Sequence, residues 1–369
     1  MRILIAAGGT GGHVYPALAA AEAILARDPS SELTFVGSVG GFERPLLEQT
    51  RLPFKAIYEV QAGPIHGMNP VKTVINAGKL GMGTLQALRL IGRARPQVIL
   101  STGGWVSFPV AQAAWLRRKP VVIYLPDIEP GLTIKAQRAF ATRVAATAGD
   151  SAAYIDQKKL VVTGYPLRES LKAATREAGI AHFGLDASKK TLLVFGGSRG
   201  AQTINTAVFG LLEALLARGD VQVIHVTGTL DWERTAPFRG LAGYFPFAYL
   251  HDDMGLALAA ADLAVCRSGA STLGELPYFG LPSILVPYPF AWRYQKVNAD
   301  YLAQRGAALV MADDRMASDL LAIVSGLLDD PARLQTMANC ARALAVPDAA
   351  GKIAALLESL AAGQRSENA

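Results

Sequence analysis

His13 stands directly behind a glycine run, Gly8-Gly9-Thr10-Gly11-Gly12, and a second such run, Gly196-Gly197-Ser198-Arg199-Gly200, opens the other half of the chain. Glycines let backbone N–H groups approach a phosphate, and a helix starting there adds partial positive charge. A single loop of this kind is as often a tight structural turn. An imidazole at such a helix start has an ordinary pKa near neutrality, which suits it to take a proton from a hydroxyl. The helix dipole opposes its protonation. The alternative is a histidine bonded to backbone or donating to phosphate. A third segment, Arg267-Ser268-Gly269-Ala270-Ser271-Thr272-Leu273-Gly274-Glu275, places a carboxylate one turn into a helix. Glu275 can accept both hydroxyls of a ribose, with Ser271 and Thr272 at a helix start suited to phosphate. The alternative is that Ser271 and Glu275 cap the helix N–H groups.

Two common owners of such loops fail on spacing. A P-loop ends in Gly-Lys-Ser/Thr, whereas Gly78-Lys79 runs into Leu80 and Gly351-Lys352 into Ile353. A dinucleotide site needs G-x-G-x-x-G and an acid at the end of the second strand, whereas Gly9-Thr10-Gly11-Gly12-His13 breaks the glycine pattern and the second strand ends at Val36-Gly37.

The elements that must hold these groups repeat as strand, glycine loop, helix. Ile3 to Ala7 is an apolar run ahead of the first loop, and Tyr15 to Ala26 follows as an alanine-rich helix with Pro16 in its first turn. Leu33 to Val36, Val98 to Leu100 and Val121 to Tyr124 read as further strands. Around Val161 to Pro166 the pattern stalls, and a linker is expected there. Thr191 to Phe195 then restarts it, followed by a helix from Ala201 to Ala217 and strands at Val223 to Val226, Leu263 to Cys266 and Ser283 to Val286. This predicts two doubly wound parallel-sheet units, 1–164 and 165–346, with a last helix near 347–363 that could pack back on the first. Ligands in such sheets bind beyond the carboxyl ends of the strands. Two facing sheets would place both sets of glycine loops on one cleft.

Composition sets outer bounds. A chain of 369 residues, 51% hydrophobic, can build two full cores. Cys266 and Cys340 match neither a metal spacing nor a disulfide framework, so a reducing cytosol is expected. No targeting segment and no membrane span is read. The net charge of +6 favours anionic partners without choosing among them.

At these residues the sequence resembles the MurG family, N-acetylglucosaminyltransferases that convert lipid I to lipid II in peptidoglycan synthesis. The resemblance rests on Gly8 through Leu18, Gly103-Gly104-Trp105-Val106-Ser107, Thr163 through Arg168, Gly196 through Ala201, Asp252-Asp253-Met254, Arg267 through Glu275, and Gln295 with Asn298. It implies a GT-B architecture of two Rossmann-like domains, UDP-N-acetylglucosamine as donor, a lipid-linked acceptor, and inversion at the anomeric carbon with no cofactor and no metal. Nucleic acid is not among the implied partners. By position, Thr10, Gly11 and Gly12 join the donor set, and Arg168, Gly197 and Ser198 meet the UDP portion. Glu275 holds the ribose, and Ala270, Ser271 and Thr272 lie along the phosphates. Leu250 and His251 border the uracil, and Gln295 reads donor-sugar hydroxyls. His13 is the base. Gly103 and Gly104, with Gly11 and Gly12, cradle the acceptor diphosphate on loop chemistry and the resemblance together, and Asp127 or Glu129 is expected to take an acceptor-side polar role.

The chain departs from the family at Tyr124-Leu125-Pro126-Asp127, where a His-Glu-x-Asn run is usual, at Tyr165, where Asn is usual, and at Tyr294, where a polar partner of Gln295 is common. Glu43 is a lesser candidate for cleft duty, equally readable as a surface carboxylate. The pairs Asp127/Glu129 and Asp231/Glu233 read as solvated surface. Residues 70 to 96 mix Val71, Val74, Ile75, Leu80, Met82, Leu85, Leu88, Leu90 and Ile91 with Lys72, Lys79, Arg89, Arg93 and Arg95. On its own this reads as an amphipathic helix packed on the sheet with solvated cations; an apolar face with a basic rim also suits an anionic membrane. With the resemblance it predicts peripheral attachment at the cytoplasmic face of the cell membrane.

Overall fold

Strand β1 (Arg2–Ala7) is buried from Ile3 onward, as a continuous apolar run covered on both faces must be. In the computed structural model it heads the first of two parallel sheets. The structure describes the whole chain except Thr10, Phe42, His66, Ser198, Arg199, residues 290–293 and residues 367–369; the side chains of Gln49 and residues 364–366 also lie outside it. The chain divides into two compact units, Met1–Arg168 with Pro347–Ala369, and Glu169–Val346.

The first unit carries β2 (Glu32–Ser38), β3 (Phe54–Val60), β4 (Val98–Gly103), β5 (Val121–Leu125), β6 (Arg143–Ala146) and β7 (Leu160–Val162) in the order β3-β2-β1-β4-β5-β6-β7. Its helices are α1 (Gly11–Arg27), α2 (Glu43–Gln49), α3 (Pro70–Ala94), α4 (Ser107–Leu116) and α5 (Leu132–Gln137). The expected linker at Val161–Pro166 is partly strand. Val161 and Val162 ladder with Ala145 and Ala146, and the N–H groups of Thr163 and Gly164 both donate to the Ala146 carbonyl. This unit therefore runs on to Arg168, past the boundary placed at 164.

The second unit holds α6 (Glu169–Lys172), α7 (Arg176–Phe183), β8 (Lys190–Phe195), α8 (Gln202–Leu216), β9 (Val221–Val226), β10 (Tyr244–Phe247), α9 (Met254–Ala260), β11 (Leu263–Cys266), α10 (Thr272–Phe279), β12 (Ser283–Leu285), α11 (Tyr294–Gln304), β13 (Ala308–Val310), α12 (Met316–Leu328) and α13 (Pro331–Ala343). Its sheet order is β10-β9-β8-β11-β12-β13. Leu192, Val194, Ile204, Val208, Leu212, Val223, Val265 and Ile284 are essentially inaccessible in its core. Each such aliphatic side chain contributes about 1.5–3 kcal/mol relative to exposure.

The last helix, α14 (Ala349–Ser366), belongs to the first unit and packs on α1 through buried Ile353, Ala354 and Leu357. Arg27 and Glu358 join the same two helices by a two-pronged ion pair, both contacts at 2.9 Å.

Both sheets reverse strand order beside their first strand, at β1/β4 and at β8/β11. That reversal opens a crevice beyond the carboxyl ends, where open α/β sheets bind ligands. The two reversals therefore fix where the candidate residues matter.

Candidate active site

At the β1/β4 reversal two glycine loops interlock. Gly8 N–H donates to the Gly103 carbonyl, and Ala7 pairs with Gly103 across a register shift. A β-carbon on Gly104 would come within 2.2 Å of the Gly8 carbonyl oxygen, and the backbone of Gly104 has φ +79°. Only glycine fits so close an approach in that conformation. A β-carbon on Gly103 would fall 2.3 Å from Nδ1 of His13. His13 lies in the first turn of α1, half-buried, behind Gly11 and Gly12. Its Nδ1 is 2.9 Å from the Thr102 carbonyl oxygen, and the Thr102 hydroxyl donates to the His13 carbonyl at 2.7 Å. Burial holds the imidazole pKa below its ordinary 6.5, against the opposing pull of the Thr102 bond.

Glu43 is neither a cleft residue nor a surface carboxylate. It is buried behind the loop, where Oε1 accepts the Gly9 N–H at 2.8 Å and the Ser38 hydroxyl at 3.4 Å. The loop glycines Gly8 and Gly41 both lie where a β-carbon would strike its carboxylate. Arg168 closes the first unit, its guanidinium 4.5 Å from the centre of the Tyr15 ring on α1. Tyr124 is fully buried. The Thr147 hydroxyl donates to the Pro126 carbonyl, so the Tyr124 hydroxyl donates to Thr147 at 2.9 Å. The Tyr124 ring meets Tyr165 edge to face at 6.2 Å, so two of the three departures from the family pattern pack on each other in the core. Asp127 follows the end of β5, half-buried. Glu129 is buried and pairs with Lys135 at 3.0 Å, not solvated as expected.

At the β8/β11 reversal Gly197 takes φ +89° in the turn after β8. Ser271 and Glu275 face each other on α10, the Ser271 hydroxyl donating to Glu275 Oε2 at 2.9 Å. Ser271, the N-cap residue of α10, makes no side-chain bond to the helix backbone. The hydroxyl instead orients the carboxylate. Thr272 Oγ1 donates to the Gly269 carbonyl at 2.6 Å, and Ala270 is half-buried between them. Gln295 Oε1 accepts the Tyr288 N–H at 2.8 Å. The Ser268 hydroxyl and the Asn298 amide tie the start of α11 to the end of β11. Leu250 is buried, and exposed His251 stands edge-on to Tyr249 at 4.5 Å. Arg267, absent from the expected ligand set, is buried, forms an ion pair with half-buried Asp313 and lies 5.2 Å from the Tyr288 ring. Asp231 is buried too and bonds Asn205 and Arg234, whereas Glu233 of that pair is exposed as expected. Among the described residues no group of three or more His, Cys, Asp or Glu could hold a metal. Thr10 and Ser198, both expected in the donor-binding set, lie outside the described residues.

The apolar residues of α3 fall on two faces, not the single face expected. Leu80, Leu90 and Ile91 are buried, while Val71 and Val74 are 69% and 73% exposed and Ile75, Met82 and Leu85 accompany them on the outside. Lys72, Lys79 and Arg89 flank that outer stripe. Among the described residues no helix is long and apolar enough to cross a membrane.

Residues 3–146 match the glycosyltransferase family 28 N-terminal domain, and residues 191–353 its C-terminal domain. The chain is 41% identical to the UDP-N-acetylglucosamine–N-acetylmuramyl-(pentapeptide) pyrophosphoryl-undecaprenol N-acetylglucosamine transferase of Roseiflexus sp. RS-1, covering 98% of this chain and 95% of that one. It is 40% identical to the protein of the same name from Desulforudis audaxviator, covering 98% and 99%. The crystal structure of Acinetobacter baumannii MurG superposes with a TM-score of 0.73 at 25% identity, covering 97% of this chain and 99% of that one.

Proposed function

Because the chain belongs to glycosyltransferase family 28, and within it to the MurG family, we propose that it moves N-acetylglucosamine from UDP-N-acetylglucosamine to the C4 hydroxyl of the muramyl sugar of lipid I, giving lipid II. The observation that carries this reading is the near-full-length match, in both halves, to enzymes named for that transfer. The side chains supply the chemistry it needs.

The reaction is a single displacement with inversion. The acceptor oxygen forms a bond to the anomeric carbon, and the bond to the β-phosphate oxygen breaks with its electron pair leaving on UDP. The acceptor proton passes to Nε2 of His13. A backbone carbonyl can only accept, so the His13–Thr102 contact puts the imidazole proton on Nδ1 and keeps the Nε2 lone pair for this step. Glu275, aimed by Ser271, accepts the ribose hydroxyls, and Leu250 and His251 border the uracil. Thr10, Gly11, Gly12, Gly197, Ser198, Ala270, Ser271, Thr272 and Arg168 meet the diphosphate. Charge-assisted bonds and helix N-termini offset the charge growing on the leaving group, so this reading requires no metal. The –NH2 of Gln295 donates to sugar hydroxyls.

Gly103 and Gly104 cradle the acceptor diphosphate, with Asp127 beside them. The outer stripe of α3, with Lys72 and Lys79, rests on anionic lipid at the cytoplasmic face of the cell membrane, where a lipid-linked acceptor resides. One observation favours a neighbouring reading. Tyr124 and Tyr165 fill the core where the family places polar groups, which suits a different lipid-linked acceptor.

The test is turnover of UDP-N-acetylglucosamine with a short-chain lipid I analogue against other glycolipids. A disaccharide product with lipid I alone supports the first reading, and transfer only to another glycolipid supports the second. Donor consumed with no acceptor present would indicate an epimerase, and binding without turnover a non-catalytic subunit.

A further inference from the structure

Behind the turn that joins β8 to α8 lies a closed set of buried polar side chains, Asn205, His225, Asp231 and Tyr244. Their hydrogen bonds allow one arrangement of protons. The Thr227 carbonyl and the Asp231 carboxylate only accept, so Asn205 turns its –NH2 to both, each at 2.8 Å. Asn205 Oδ1 then faces His225 Nε2 at 3.0 Å, and that nitrogen must carry the proton. His225 Nδ1 is left as an acceptor, and the Tyr244 hydroxyl donates to it at 3.0 Å. Arg234 completes the set by donating to Asp231 and to the Thr206 hydroxyl. Burial pushes the His225 pKa down to about 3, so the imidazole stays neutral.

The set links two pieces of backbone. Asn205 sits in the first turns of α8, and Thr227 immediately follows β9. Their bond clamps the start of the helix to the end of the strand. Gly200 is held inside the clamp. It has φ +81°, and a β-carbon there would lie 2.1 Å from the Thr227 carbonyl oxygen. The Gly200 N–H donates to the Gly197 carbonyl at 2.9 Å, so Gly200 is tied to Gly197 on one side and rests against Thr227 on the other.

We infer that His225 is a positioning residue for nucleotide binding: by fixing Asn205 it holds Thr227 against Gly200, and so keeps Gly200, Ala201 and the first N–H groups of α8 in place to receive the donor diphosphate. The inference rests on the proposed reading of that turn as a diphosphate loop. His225 itself touches no ligand. A histidine serving the core alone would change the melting temperature and leave nucleotide affinity where it was.

The test is calorimetric titration of the full chain with UDP, beside melting without ligand, for the wild type, His225→Gln and His225→Asn. Glutamine carries an N–H donor to about the place of Nε2 and restores the bond to Asn205. Asparagine reaches only the Nδ1 position and leaves Asn205 Oδ1 without its donor. The expected result is His225→Gln within about threefold of wild type and His225→Asn weaker by at least about tenfold, or about 1.4 kcal/mol. KM for UDP-N-acetylglucosamine should rise in parallel, with kcat at saturating donor and KM for acceptor unchanged. A folded His225→Asn protein that binds UDP like wild type overturns the inference, as does an equal loss in both variants. Should His225→Asn not fold, Tyr244→Phe removes the outer hydroxyl; weaker UDP binding supports the clamp, and unchanged binding overturns it. A wild-type chain that binds no UDP overturns the donor reading and the clamp together, whereas wild-type binding matched by the variants overturns the clamp alone.

Discussion

Nδ1 of His13 lies 2.9 Å from the carbonyl oxygen of Thr102, and that contact decides which imidazole nitrogen can act. The proton sits on Nδ1, and Nε2 keeps its lone pair. Burial lowers the pKa below 6.5, so the neutral form required of a base persists on the acid side of that value and is lost only as pH falls through the depressed pKa. The acid limb of the kcat profile should therefore bend below pH 6.5. A limb centred at or above 6.5 would assign the titration to another group.

Glu275 and Ser271 make a two-part prediction. Glu275→Ala should weaken UDP by about tenfold or more, since hydrogen bonds to a charged acceptor contribute about 1.5–3 kcal/mol. Against 2′,3′-dideoxy-UDP the same substitution should cost little, because the ribose hydroxyls are gone. Ser271→Ala should follow in the same direction with a smaller effect. Equal losses for both ligands in titration would move Glu275 away from the ribose.

Gly104 has no room for a side chain, with the Gly8 carbonyl 2.2 Å from a built β-carbon. Gly104→Val should raise KM for the lipid-linked acceptor at least about tenfold. UDP affinity, held in this account by Glu275 and the other second-unit residues as well as by Gly11, Gly12 and Arg168, should change less than the acceptor KM. Unchanged acceptor KM would remove Gly103 and Gly104 from the acceptor site.

The sequence made the sheet centres legible and left the edges obscure. Ile3–Ala7 and Thr191–Phe195 are unbroken apolar runs because both faces of a central parallel strand are covered. Phe54–Val60 has mostly exposed residues, Tyr244–Phe247 contains Pro246, and Leu160–Val162 is only three residues long, so each relies on its ladder partners more than on its own pattern. The site divided similarly. Ser271 and Glu275 are four apart on one helix, a spacing that shows in the sequence. Glu43 meets Gly9 across 34 residues, and Asn205, His225, Asp231 and Tyr244 converge only after folding. His225 within Val-Ile-His-Val reads simply as strand. On α3 the helical period was visible, but which apolar residues face inward depended on the neighbouring α4.

The outer stripe of α3 gives a binding prediction. Val71→Ser with Val74→Ser should release the protein from anionic vesicles in flotation, since burying an exposed valine contributes up to about 1.5–3 kcal/mol. Lys72→Gln with Lys79→Gln should weaken binding by about 1 kcal/mol per charge and reduce its salt dependence. Activity on a soluble acceptor analogue should be unaffected. Flotation unchanged in both variants would place the membrane contact elsewhere or nowhere.

Single-turnover transfer by His13→Ala, with UDP-N-acetylglucosamine and the lipid I analogue both saturating, tests the central claim most directly. The account predicts a rate lower by about 10²–10⁴-fold, with UDP affinity by titration unchanged. A His13→Ala enzyme that transfers the sugar at the wild-type rate would contradict it.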